Sequence, residues 1–282
     1  MSALLATGNR RAAVPPAVPV LLYHAITDTP GRQIAPYSVS PAVFAEHLSL
    51  LVGAGFRCVP FGALMSGRGG PDGWRGDERI AVITFDDGYA DFATAALPAL
   101  QARGLPSTLY VTTGWLAGSP VREPGPEDRM LAWGQLPELV EAGVELGAHS
   151  HSHPQLDTLG GGALRDELST PRRLLEDALG RPVTTFAYPH GYHGPRVRRL
   201  TEEAGYASAA GVRNAVSRPG EHPFSVSRLM VTRDLTPARF SAWLEGRDGR
   251  RSTHREAPAT TGWRAYRRAR AVVRRRPGSD YR

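Results

Sequence analysis

Short apolar runs alternate with helix-forming patterns from about residue 18 to residue 245. Each run spans five or six residues, which is typical of a strand buried on both faces of a sheet. The strands that these runs predict lie at 18–22, 55–59, 80–84, 107–112, 144–148, 183–187, 206–210 and 226–231. The helices predicted between them lie at 41–53, 89–103, 133–142, 163–179, 194–204 and 237–245.

This alternation of single strands with single helices predicts a sheet of parallel strands covered by helices, which is an α/β fold. Seven or eight such units favour a barrel over an open sheet. The chain therefore divides into an N-terminal extension at 1–17, one α/β domain at 18–245 and a C-terminal tail at 246–282.

The net charge is unevenly divided between the domain and the tail. The chain has 282 residues and a formal net charge of +7. The tail holds twelve arginines and three acidic residues, a net charge of +9, which leaves −2 for residues 1–245. All 34 basic residues are arginines, which excludes a Schiff-base lysine and a Walker A phosphate loop. The single cysteine, Cys58, is predicted to be a buried structural thiol.

The tail is predicted to form a polar linker and then an amphipathic helix at 262–276. On that helix Trp263, Tyr266, Ala269 and either Val272 or Val273 would share one face, with arginines around the rest. Such a pattern is typical of a helix on an anionic membrane surface, and a disordered basic tail is the alternative. The first 19 residues lack the apolar run of a signal peptide, so we expect a cytoplasmic protein, peripheral at the inner membrane face.

Two short motifs carry the candidate chemistry. The first is Thr-Phe-Asp-Asp-Gly at 84–88, where Asp86 and Asp87 follow a predicted strand. The second is His-Ser-His-Ser-His-Pro at 149–154, where His149 and His153 are four residues apart, a spacing that one helical turn would bring together. Imidazole and carboxylate groups are ligands for Zn²⁺ and similar ions, and a second carboxylate beside them can take a proton from water. Together the motifs predict metal-assisted hydrolysis.

These motifs resemble those of the polysaccharide deacetylases of the NodB-homology type, carbohydrate esterase family 4. A third segment, Phe-Ala-Tyr-Pro-His-Gly at 186–191, is similar to that family's third motif. The resemblance covers about residues 18–245 and implies a distorted (β/α)7 barrel. It implies that Asp86 is the catalytic base and that one divalent ion is held by Asp87, His149 and His153. Zn²⁺ is the expected ion, with Co, Ni, Mn and Fe as alternatives.

The position of the general acid departs from the commoner family pattern. Most members take it from a C-terminal Leu-x-His motif, which is missing here. Leu-Leu-Tyr-His at 21–24 resembles instead the circularly permuted subgroup that acts on poly-N-acetylglucosamine, so His24 is assigned the acid role, with a buried structural histidine as the alternative. Ala187 stands where many members have an arginine that orients the base. Arg228 is expected to form a surface salt bridge, with contact to Asp86 as the alternative.

The remaining candidates concern the substrate. By resemblance, Tyr188, Pro189 and His190 are predicted to bind it, and Trp115 and Trp133 either line a sugar groove or pack in the core. The predicted function is removal of an N-acetyl group from an amino sugar in a poly- or oligosaccharide or glycolipid. The alternatives are hydrolysis of the C–N bond of a small amide or imide, and a non-catalytic carbohydrate-binding barrel. No nucleic-acid partner is expected.

Overall fold

The computed structural model describes residues 17–67, 78–123, 125–247, 250–251, 262, 266–267 and 270. Within these residues the strands are β1 (Val20–Tyr23), β2 (Phe56–Cys58), β3 (Arg79–Phe85), β4 (Thr108–Val111), β5 (Glu145–Ala148), β6 (Thr185–Ala187), β7 (Ser208–Ala210), β8 (Ala215–Val216), β9 (Leu229–Met230) and β10 (Arg250–Arg251). The α-helices are α1 (Pro41–Gly53), α2 (Phe61–Met65), α3 (Leu97–Gln101), α4 (Leu136–Glu141), α5 (Gly161–Leu179), α6 (Pro195–Glu203) and α7 (Pro237–Leu244).

The main sheet is parallel and curls back on itself. Its strands lie in the order β7-β6-β5-β4-β3-β1-β9, with β2 also paired to β3. The segment that leads into β9 reaches the other edge, because Val226 forms an isolated parallel bridge with Ala210 at the end of β7. The two edges therefore meet through one short segment. This arrangement confirms the distorted barrel, and it brings the carboxyl ends of the central strands to one face.

The core follows from the burial of the strands. All four residues of β1 are fully buried, as are six of the seven residues of β3. Helices α1 and α7 pack together outside the barrel. Ser40 caps α1, since its Oγ accepts a hydrogen bond from the backbone N–H of Val43 at 3.2 Å. Among the described residues, we find no helix with both the length and the apolar character needed to span a membrane.

The structure departs from the predicted elements mainly at helix ends and in short pieces. The helix predicted at 89–103 begins as a π-helical turn, Phe92–Ala96, before α3. Pro98 explains the wider turn, because it has no N–H and its ring would crowd the carbonyl group of Thr94 in a regular α-helix. Helix α2 and strands β8 and β10 lack a clear sequence pattern and were not predicted. Residues 68–77 and most of the predicted tail helix lie outside the described residues.

Candidate active site

Strands β1, β3 and β5 deliver the motif residues to one face of the barrel. Parallel pairing aligns Tyr23 of β1 with Phe85 of β3, so the residues that follow, His24 and Asp86, leave the sheet at the same level. The backbone N–H of Asp86 also donates to the carbonyl oxygen of Tyr23 at 3.0 Å. The carboxyl end of β5 leads directly into His149. The fold therefore gathers at one edge groups that are far apart in sequence.

The chain turns sharply after Asp86. Asp87 has a φ of 75° and Gly88 a φ of 95°, both in the left-handed region. A Cβ at Gly88 would approach side chains of Leu116 and Val111 at 3.3 Å, so glycine fits this position both for its φ and for its size. Because the chain reverses here, the two adjacent carboxylates serve different partners. Asp87 lies 3.3–3.4 Å from two histidines, whereas Asp86 pairs with an arginine and lies 3.7 Å from one of those histidines.

The histidine motif forms a loop and not the helical turn that its spacing predicted. Ser150 and His153 have φ values of 63° and 59°, which no α-helix contains. The loop is held by Ser150, whose Oγ accepts from the His153 N–H at 3.0 Å, and by Glu167 of α5. The Glu167 carboxylate accepts from the N–H groups of His151 and Ser152 at 2.8 and 2.9 Å and from the Ser152 hydroxyl at 2.5 Å. Side-chain contacts, and not helix geometry, bring the two histidines together.

The geometry of the triad fits a bound cation. Ligand atoms of Asp87, His149 and His153 all lie within 4.8 Å of one another. The Nδ1 of His149 lies 2.8 Å from the carbonyl oxygen of Ala187, so it must donate, and its Nε2 then presents a lone pair. That Nε2 faces Asp87 Oδ1 at 3.4 Å, and His153 Nε2 faces the same oxygen at 3.3 Å. Buried acceptors that converge in this way call for a positive charge between them, and two imidazoles with one carboxylate suit a divalent transition ion.

Arg228 is the residue whose predicted place was wrong. It is fully buried and not at the surface. Its two terminal nitrogens donate to Oδ1 and Oδ2 of Asp86, each at 2.7 Å, and its Nε donates to the carbonyl oxygen of Gly211 at 3.0 Å. The parallel fork matches the carboxylate and fixes its plane. Arg228 therefore places a positive charge beside Asp86. Ala187, at the end of β6, stands where many members of the resembled family have an arginine, and it carries no charge.

The electrostatics keep both carboxylates ionised and keep two histidines, His149 and His190, neutral. Burial alone would raise the pKa of Asp86, but the Arg228 guanidinium, together with His149 and His24, outweighs burial and holds the pKa below its usual value. Burial also opposes ionisation of Asp87, whose pKa is lowered by His153 and the neighbouring histidines. Burial lowers the pKa of His149 to about 4 and that of His190 to about 3. Near neutral pH this distribution leaves the lone pair of His149 Nε2 available to a metal ion.

A cavity of about 490 Å³ opens onto the triad. Its lining includes His24, Tyr37, His190 and Tyr192 besides the motif residues. The Nδ1 of His24 makes no hydrogen bond with any residue that the structure describes, and its ring lies 5.4 Å from that of Tyr37. The His24 ring therefore shares the cavity with both carboxylates.

The other sequence candidates divide between cavity and core. Of the three predicted substrate-binding residues, His190 lines the cavity, whereas Pro189 is buried. Tyr188 is fully buried, and its hydroxyl donates to the carbonyl oxygen of Phe224 at 3.1 Å, so its side chain has a packing role. Trp115 is buried against His153, with ring centroids 4.7 Å apart, and Trp133 packs on the hydrophobic core.

Sequence reasoning missed Glu167, Tyr37 and Tyr192, and it misplaced Arg228. The sequence did contain a signal for Arg228, because it lies inside the apolar run 226–231. An arginine in a buried strand is rarely tolerated unless a negatively charged group pairs with it. Glu167 lies in a helix with many charged residues, where nothing in the sequence separates it from its neighbours.

Comparisons with known proteins agree with the geometry. Residues 74–209 match the sequence profile of the family described as polysaccharide deacetylase. The Bacillus subtilis protein YxkH, whose name places it provisionally among polysaccharide deacetylases, is 22% identical over 233 residues. That alignment covers 82% of this chain and 77% of YxkH.

Solved structures share the fold. The structure of IcaB from Ammonifex degensii superposes with a TM-score of 0.67 at 25% identity, covering 82% of this chain and 97% of that chain. The Streptococcus pyogenes deacetylase PplD, solved in complex with acetate, gives a TM-score of 0.68 at 21% identity, covering 79% and 96%. Both are matched over nearly their whole length by the barrel described above.

Proposed function

This chain belongs to the polysaccharide deacetylase family, and from that membership we propose that it is a divalent-metal-dependent hydrolase acting on N-acetylated amino sugars. The reaction would release acetate and leave a free amine on a poly- or oligosaccharide or a glycolipid. The observation that carries the proposal is one cavity in which a metal-type triad adjoins a carboxylate held separately by Arg228. Such a separation is what hydrolysis needs, because one carboxylate binds the ion while the other accepts a proton.

The proposal gives the triad and Asp86 separate roles. Asp87, His149 and His153 would hold the ion, with Zn²⁺ as the expected metal. When bound, the ion would supply Lewis acidity, which would make water easier to deprotonate and would stabilise charge on an acyl oxygen. Asp86 takes the proton from the attacking water. Its two bonds to Arg228 leave further lone pairs on each oxygen, so the carboxylate is oriented without being saturated.

His24 is the proposed donor of the proton that the leaving amine needs. It lines the same cavity as Asp86. Burial lowers the pKa of His24, while the carboxylates of Asp87 and Asp86 oppose this shift. A protonated imidazole with a lowered pKa gives up its proton readily, which suits transfer to an amine. The resemblance to the circularly permuted subgroup, in which the acid enters on the first strand, supports this assignment.

Replacing His24 with Ala should slow acetate release from N-acetylglucosamine oligomers by roughly 10²- to 10⁴-fold, the usual scale for loss of a general acid. The measurement is acetate and free amine released in equal amounts by the purified protein. His222→Ala is the matched control, because His222 is an exposed histidine outside the cavity. Near-normal turnover in His24→Ala would refute both the acid role and the subgroup assignment.

The same assay separates the competing functions. A panel of sugar oligomers, small acetamides and cyclic imides would be compared under identical conditions. Hydrolysis restricted to the small compounds would favour the alternative C–N hydrolase. Binding of oligomers without any hydrolysis by the metal-loaded protein would favour a carbohydrate-binding barrel.

We also propose that the tail contacts an anionic membrane surface at the inner face. Its net charge of +9 supports this, although most of the tail lies outside the described residues. Changing Arg274, Arg275 and Arg276 together to Ala should weaken binding to anionic vesicles roughly 100-fold, since each arginine near such a surface contributes about 1 kcal/mol. Sedimentation with anionic and neutral vesicles at two salt concentrations measures the effect. Equal binding by the two proteins would remove the membrane proposal.

A further inference from the structure

One arginine of the C-terminal tail is buried against the barrel. Arg267 is 7% exposed, and its Nη2 donates to Asp157 Oδ2 at 2.5 Å. Its guanidinium carbon lies 3.6 Å from the centre of the Tyr192 ring, which is a close cation–π contact. The two flanking positions of the tail that the structure describes behave differently, since Tyr266 and Arg270 are exposed.

Both partners of Arg267 belong to loops at the active site. Asp157 lies in a short 3₁₀ helix, Leu156–Thr158, four residues after His153. Tyr192 lines the cavity, and its ring stacks on that of His190 with centroids 5.7 Å apart. The His190 ring in turn contacts that of His153 at 4.6 Å. Arg267 thus joins the loop after the metal-type ligands to the loop after β6.

The energetics favour a specific dock over a chance contact. Asp157 is 1% exposed, so its carboxylate has left water and needs a positive partner. A long arginine side chain on a free tail would keep its guanidinium hydrated. The Arg267 guanidinium instead forms an ion pair with Asp157 and at the same time lies on the face of the Tyr192 ring. Arginine can satisfy both because its planar group donates at its edge while it stacks with its face.

We propose that Arg267 is a positioning residue that fixes Tyr192 as a wall of the sugar-binding part of the cavity. This inference rests on the proposed function, because Tyr192 would meet the sugar ring. Arg267 lies over the Tyr192 ring, and the half-buried Tyr192 also lines the cavity. The tail is then part of the substrate site, so a chain cut at the predicted boundary after Glu245 would lose part of that site.

The test compares Arg267→Ala with Arg270→Ala, a matched change of an exposed arginine three residues away. For N-acetylglucosamine oligomers, Arg267→Ala should raise KM about tenfold with kcat within about twofold of the unaltered value, the pattern of lost binding energy. Arg270→Ala should leave both constants unchanged. Tyr192→Ala should reproduce the rise in KM, and adding Arg267→Ala to it should raise KM no further. The KM of Arg267→Lys should lie between that of the unaltered protein and that of Arg267→Ala, because lysine keeps the charge and loses the planar group.

Hydrogen exchange of the backbone amides at 156–158 and 189–192 gives a readout that needs no substrate. Exchange should accelerate in Arg267→Ala and not in Arg270→Ala. Unchanged exchange would overturn the dock, and faster exchange with an unchanged KM would overturn the positioning role. If the unaltered protein hydrolyses no sugar, the proposed function fails, while hydrogen exchange still decides whether Arg267 holds the two loops.

Discussion

Replacing Asp87 or His153 with Asn should yield a protein that purifies without its divalent ion, whereas the unaltered protein should carry about one ion per chain. Removing one of three protein ligands should weaken binding by more than the 10- to 100-fold that loss of an outer partner typically costs. Asparagine is the appropriate replacement, because both positions have a positive φ that asparagine tolerates better than alanine. Elemental analysis after dialysis against a weak chelator measures the metal content.

His151→Asn provides the matched control for this experiment. His151 lies in the same loop and is also buried, but its Nδ1 pairs with the hydroxyl of Thr113 at 2.9 Å, and it is not part of the triad. Its metal content should remain normal. A second readout is thermal unfolding with added Zn²⁺, since an ion at 100 times its Kd stabilises the folded state by about 2.7 kcal/mol. A full complement of metal in both Asp87→Asn and His153→Asn would refute the ligand assignment.

Local patterns in the sequence were sufficient to predict much of the barrel. An apolar run such as 80–84 must be buried, and a parallel sheet is the usual way to bury it on both faces. A polar motif that directly follows such a run then lies at the carboxyl edge. The parallel pairing of Tyr23 with Phe85 confirms that His24 and Asp86 reach this edge together. The same rule predicts that His149 lies at this edge, since it directly follows β5.

What the sequence did not predict depends on contacts between distant residues. Arg228 and Asp86 are 142 positions apart, and only closure of the barrel through the segment before β9 brings them together. Arg267 and Asp157 are likewise in contact although they are 110 positions apart in the sequence. Glu167 shapes the histidine loop from another element, which is why a helical turn was predicted where a loop is found. No periodicity encodes such pairs, because each depends on how the whole chain is folded.

The buried pair of Asp86 and Arg228 should dominate turnover. Asp86→Asn retains the shape of the side chain but is a far weaker base, so kcat should fall by about 10³-fold or more while the metal content stays normal.

The same pair should also be coupled in stability. Asp86→Asn and Arg228→Met each leave a buried charge without its partner, which typically costs 3–5 kcal/mol of folding free energy. The double variant Asp86→Asn, Arg228→Met should therefore lose less stability than the two single losses added together. Urea unfolding of all four proteins measures this coupling.

Changes at Arg228 separate charge from orientation. Arg228 lowers the pKa of Asp86, so its replacement by Met should raise that pKa. Because the base acts only when deprotonated, the acid limb of the kcat/KM profile should move to higher pH, with activity at pH 6 falling more than activity at pH 8. Arg228→Lys keeps the charge but loses the two-pronged contact, so it should lower kcat with a smaller shift of the limb. An acid limb in Arg228→Met that coincides with that of the unaltered protein would show that Asp86 is not the group whose ionisation limits the reaction.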